Sequence, residues 1–105
     1  MSLDLDLWAV RRTNVYGTNM THNVAAMADE AGVYDLLWQA KGSPKAGDLV
    51  APLNGAIYDM EARPDHYKKF DAENGWGTYE QFLPWLREVR DMCVEYPDAE
   101  IEVSR

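Results

Sequence analysis

Two short segments of this chain hold side chains from which a site could be made. The first is Tyr16–Asn23, where Tyr16, Asn19, Thr21, His22 and Asn23 crowd together. Amides and hydroxyls at that density can converge as hydrogen-bond donors and acceptors, and His22 can exchange a proton near neutrality. The same groups also serve as caps and turn-formers for nearby backbone. The second segment is Asn74-Gly75-Trp76-Gly77. Its glycines and Asn74 permit positive φ, which predicts a tight loop. Trp76 then either packs against the body of the domain or stands as an aromatic wall for a ligand or partner. A pocket where the two loops meet would use Tyr16, Asn19, His22, Asn23, Asn74 and Trp76 as its binding residues.

No pattern rises to a catalytic signature. His22 and His66 are far apart in sequence, and neither has a second ligand beside it at metal spacing, so no metal site is expected. Cys93 falls on an apolar helical stripe, where a thiol behaves as a small hydrophobe rather than a nucleophile. There is no phosphate-cradling glycine loop and no nucleophile elbow, and no cofactor is expected. Asp4, Asp6, Glu100 and Glu102 could share one sheet face, read here as a solvated face rather than a cation site.

The elements that must position these groups follow from periodicity. Leu3, Leu5, Leu7 and Ala9 alternate with Asp4, Asp6 and Trp8, the pattern of a half-buried strand near residues 3–10. Ile101 and Val103 alternate with Glu100 and Glu102 after Pro97, predicting a strand near 99–104. With no other clear strand between them, these two are expected to pair, leaving like charges to be offset by Arg11, Arg12 and Arg105. The polar stretch Arg11–Asn23 reads as a loop.

Helical spacing fills the middle. One helix is expected from Asn23 as N-cap through Val24, Met27, Ala28 and Ala31 to Gly32. A second carries Val33, Leu36, Leu37 and Ala40, with Tyr34 and Trp38 on another side, and closes at Gly42-Ser43-Pro44. A third repeats Leu49, Leu53, Ala56, Ile57 and Met60, with Pro52 tolerable only in its first turn and Gly55 suggesting close approach by another backbone. A short helical turn over Asp65–Phe70 follows. The clearest helix opens on a Thr78/Gln81 capping box and carries Phe82, Leu86, Val89, Cys93 and Tyr96 as one stripe, with Pro84 among its early turns. The fold expected over residues 1–105 is a single α+β domain, mostly helical, with N- and C-terminal strands paired in a small sheet and helices on one face.

Composition narrows the function classes. The chain has 105 residues and 47% hydrophobic content, enough for one core. Its 18 acids against 10 bases give a net charge of −8. The adjacent basic pairs are Arg11-Arg12 and Lys68-Lys69, too sparse for a phosphate-binding surface, so direct nucleic-acid binding is disfavoured. No apolar run approaches membrane-spanning length. One cysteine and no charged-then-apolar leader point to the cytoplasm. A small sheet with open edges makes a homodimer plausible.

The run Asn19-Met20-Thr21-His22-Asn23-Val24 with Met27, the later Asn74-Gly75-Trp76-Gly77 with Tyr79, and the ending Pro97-Asp98-Ala99-Glu100-Ile101-Glu102-Val103-Ser104-Arg105 resemble a group of small uncharacterised proteins of actinobacteria and their phages. The likeness spans most of the chain from about Asn14. It departs at Met20, where the group has an aromatic, and at Ala26, where it has a proline. It implies a phage or actinobacterial setting and no particular chemistry. Three functions remain in order of preference: a non-catalytic interaction or accessory protein, a small-ligand or peptide pocket between the 16–23 and 74–77 loops, and an acidic decoy for a DNA-binding protein.

Overall fold

In the computed structural model, which describes residues 2–9, 14–38 and 45–104, the alternating leucines form β1 (Ser2–Trp8). Leu3, Leu5 and Leu7 are fully buried on one face, as period two requires of a strand with one side on a core. The end of the chain forms β3 (Glu100–Ser104), antiparallel to β1, with Leu5 opposite Val103, Asp6 opposite Glu102 and Leu7 opposite Ile101. The first and last segments therefore lie side by side.

The stretch expected to be a loop contains a third strand. β2 (Asn14–Thr21) pairs antiparallel with β1 through Leu3–Met20, Leu5–Thr18 and Leu7–Tyr16, giving the order β2-β1-β3. Tyr16, Thr18 and Met20 share the leucine face of the sheet, while Gly17 and Asn19 lie on the face of Asp4 and Asp6. This alternation is hard to see in sequence because its inward set includes a threonine and its outward set a glycine. The register shifts between Leu7 and Trp8, leaving Val15 as the extra residue of a bulge. The Asn14 side-chain amide spans this irregularity, donating to the carbonyls of Leu7 and Tyr16, each at 3.2 Å.

Helices cover the leucine face. After a 3₁₀ turn at His22–Val24 come α1 (Ala25–Glu30), α2 (Tyr34–Trp38), a second 3₁₀ turn at Ala46–Leu49, α3 (Val50–Ala62), α4 (Pro64–Lys68) and α5 (Tyr79–Glu95). Asn23 is not the cap of the first helical segment. Thr21 takes that role, its hydroxyl accepting from the Asn23 N–H at 3.3 Å, and the Asn23 amide is turned elsewhere. Gly32, at φ +79°, ends α1 as expected, with the Val33 N–H bonded to the Ala28 carbonyl and the Gly32 N–H to that of Asp29.

Pro52 lies in the first turn of α3, where its missing N–H costs nothing. Gly55 does not mark a close backbone approach. Its position is exposed, and a Cβ there would meet nothing within 4 Å. On α5 the expected stripe is realised, with Phe82, Leu86, Val89 and Cys93 fully buried. Trp38 and Trp85 stack with ring centroids 5.7 Å apart, and Phe82 stacks on Trp85 at 5.8 Å, tying α2 and α5 together above the sheet.

Val10, Arg11, Arg12, Ala40, Gly42-Ser43-Pro44 and Arg105 lie outside the described residues, so their expected roles as strand end, counter-charges, helix face and turn are not placed. No helix among the described residues is long and apolar enough to cross a membrane.

Candidate functional site

The loop before α5 is built by side chains bonding to its backbone. Gly75 and Gly77 adopt φ of +78° and +102°, the left-handed region that glycine enters at little cost. The Asn74 carboxamide oxygen accepts from the Trp76 N–H at 3.0 Å. Gln81 does more than complete a capping box with Thr78. Its oxygen accepts from the N–H groups of Gly77 (2.7 Å) and Thr78 (3.1 Å), and its amide nitrogen donates to the Gly75 carbonyl at 3.0 Å.

A further bond joins this loop to the segment after β2. The Asn23 amide nitrogen donates to the Trp76 carbonyl at 2.9 Å. Gly77 is buried against the same segment, so closely that a Cβ would stand 2.9 Å from Asn23 Cβ and 3.1 Å from Thr21 Cγ2. The two sequence segments thus meet in space. Between them lies an open depression of about 690 Å³, lined by Asn19, Met20, Thr21, Asn23, Asn74 and Trp76 together with Ser2, Gly77 and Gln81.

Trp76 is not pressed into the body of the domain. Its side chain is 69% exposed at the rim of the depression, although its backbone is bonded on both sides. Every described lining residue is uncharged at neutral pH and none is a histidine, cysteine, acid or base. Such a surface offers amide and hydroxyl hydrogen bonds beside an indole face. The described lining holds no histidine, acid or base that would activate the hydroxyls of Ser2 and Thr21.

Four of the six expected site residues converge here: Asn19, Asn23, Asn74 and Trp76. Tyr16 does not. It lies on the helix-facing side of β2, and its hydroxyl donates to a Glu88 carboxylate oxygen on α5 at 2.9 Å. Burial, with the Glu88 carboxylate beside it, pushes the phenol up to about 12, so it stays a protonated donor at neutral pH. His22 is also absent from the described lining. Its Nε2 is buried without a hydrogen-bond partner among the described residues. Thr21 and Gly77 belong to the two singled-out segments without being among the six pocket residues, and Gln81 lies outside both segments. The capping-box spacing flagged Gln81 in sequence, but not its second duty to Gly75.

Elsewhere, no cluster of three potential metal-ligating side chains occurs among the described residues. Cys93 is fully buried, and burial pushes its thiol up to about 11, away from thiolate chemistry. Asp4 and Asp6 lie on the sheet face opposite the helices, with Asp6 directly across from Glu102. No family model matches the chain, and neither a curated protein nor a solved structure matches it.

Proposed function

We propose that this protein is a non-catalytic interaction module of the cytoplasm, binding a protein partner at the depression between Thr21–Asn23 and the Trp76 loop. One observation carries the reading: an indole that is 69% exposed on a backbone held by Asn23 and Asn74. A tryptophan serving only the core would be buried, as Trp38 and Trp85 are. A mobile loop would lose ordering entropy on binding, whereas the backbone that carries this indole is already held by hydrogen bonds. Large aromatics surrounded by uncharged hydrogen-bonding groups are the usual anchors of protein interfaces. The resemblance noted above implies a phage or actinobacterial setting for such an accessory protein.

The test compares immobilised wild-type protein with Trp76→Ala in a lysate of the cells that carry it. The wild type is expected to retain a stoichiometric partner that the variant releases. Because the indole is exposed, the variant's unfolding free energy should stay within about 0.5 kcal/mol of wild type. Equal retention by both proteins, or no partner on either at low salt, overturns the reading.

A further inference from the structure

The sheet has two edges, and they are built differently. The β3 edge is charged by Glu100 and Glu102, and its approach is covered. Lys45 bridges to Glu100, the Ala46 N–H donates to the Ala99 carbonyl at 2.9 Å, and the Gly47 N–H donates to that of Pro97 at 2.8 Å. The β2 edge has none of these protections. Over Asn14–Thr21 it carries no charge and no proline, pairs with β1 alone among the described residues, and leaves none of its residues buried. Soluble proteins ordinarily guard a strand edge of this length, because its free N–H and C=O groups recruit other strands.

Gly17 marks the middle of this edge. It sits opposite Asp6 in the register, on the sheet face away from the helices. The Asp6 carboxylate occupies the space a side chain at position 17 would need, closer than any real Cβ approaches. Asp6 therefore reaches across the strand toward the free edge, and it has no hydrogen-bond or ion-pair partner among the described residues. Asp4 follows on the same face, opposite Asn19. At the Thr21 end the edge runs directly into the depression that holds Trp76.

We propose that the free edge of β2 receives an added strand from a partner protein, and that this strand carries a lysine or arginine facing Asp6 across the gap at Gly17. Main-chain bonds to β2 supply the pairing, and the side chains at alternate positions supply the choice of partner. A second copy of this chain is the poorer occupant. A two-fold axis at the middle of β2 brings both Asp6 carboxylates to one patch, between molecules that each carry a net charge of −8. A basic strand meets that charge instead of opposing it. The inference rests on the interaction reading above and names the partner's chemistry.

The experiment titrates ¹⁵N-labelled protein with a synthetic peptide of alternating threonine and lysine at millimolar concentration, and with its counterpart carrying glutamate for lysine. The lysine peptide is expected to shift and protect amides of β2 and to leave those of α3 and α5 unchanged. Asp6→Asn should weaken it about two- to fivefold, the range of an exposed ion pair, and the loss should shrink at high salt. Glu80→Gln, which removes one acid on the exposed side of α5, should leave the affinity unchanged. The proposal fails if no β2 amide responds, if the two variants weaken binding equally, or if the glutamate peptide binds as well. It also fails if light scattering shows a dimer with β2 amides already protected without peptide. Should the peptide fail while Trp76→Ala still releases the native partner, the strand-addition inference falls and the interaction reading stands.

Discussion

The side-chain amide of Asn23 donates to the backbone carbonyl of Trp76 at 2.9 Å, joining segments 53 residues apart in the chain. This bond ties the Trp76 backbone to the segment after β2, and Gly77 packs closely against the same segment. Removing the amide with Asn23→Ala should cost about 1 kcal/mol of stability, the net worth of one such bond. Heteronuclear relaxation should show Gly75–Gly77 gaining mobility. If the loop stays as rigid as in the wild type, the bond does not hold it.

Two glycine replacements should act in opposite directions. Gly55→Ala, at an exposed helical position with open space around its missing Cβ, should stabilise the protein by about 0.5–1 kcal/mol. Gly77→Ala must enter a φ of +102° and push against Asn23, and should cost on the order of 2–3 kcal/mol. Urea unfolding of both variants checks the pair. A destabilising Gly55→Ala would contradict the exposed placement of that residue.

The indole N–H of Trp85 donates to the Thr18 hydroxyl at 2.9 Å, linking α5 to β2. Thr18→Val keeps the shape of the side chain but leaves the N–H without its acceptor. The expected loss is about 1–2 kcal/mol, readable by thermal or urea unfolding. Unfolding indistinguishable from wild type would mean that water or another group satisfies the indole.

Stability should fall at alkaline pH, with a sign fixed by raised pKa values. Tyr16 and Tyr67 are held at about 12, the first by burial and Glu88, the second by burial and the Asp59 carboxylate that its hydroxyl bonds. Cys93 is held at about 11 by burial. In each case the folded state favours the protonated form. The contribution is therefore complete below the unfolded values, near 9 for the thiol and 10 for the phenols, and is lost as pH rises through 11 and 12. Tyr16→Phe should flatten part of this fall between pH 10 and 12. A profile unchanged by the substitution would separate Tyr16 from the effect.

At neutral pH the Cys93 thiol should react with a disulfide reagent only as fast as the protein opens. Its rate should therefore rise in step with urea-induced unfolding. Rapid reaction of the native protein would show that the thiol is not buried.

The sequence by itself determined the features that depend on local spacing. Leu3, Leu5 and Leu7 at period two specified β1 and which of its faces is buried, and Ile101 with Val103 specified β3. The stripe from Phe82 to Cys93 and the Thr78/Gln81 pair specified α5 and its start. Gly32 specified an end for α1. In each case a few neighbouring residues carry the whole signal, because the energy involved is a cap, a turn or one amphipathic face.

Only the tertiary structure decided the rest. β2 has no apolar alternation strong enough to announce it. It is a strand because β1 offers a ladder and α5 offers Glu88 and Trp85 to its inward side chains. Asn23 looked like a helix cap, and the partner that took it away, the Trp76 carbonyl, lies far along the chain. Trp76 reads in sequence as either a core residue or an aromatic wall; the fold decides for the exposed position, with Asn74 and Asn23 holding its own backbone and Gln81 that of its neighbours. Competition between a local partner and a distant one is settled by which of them the fold brings within hydrogen-bond reach, and spacing along the chain carries no record of that distance.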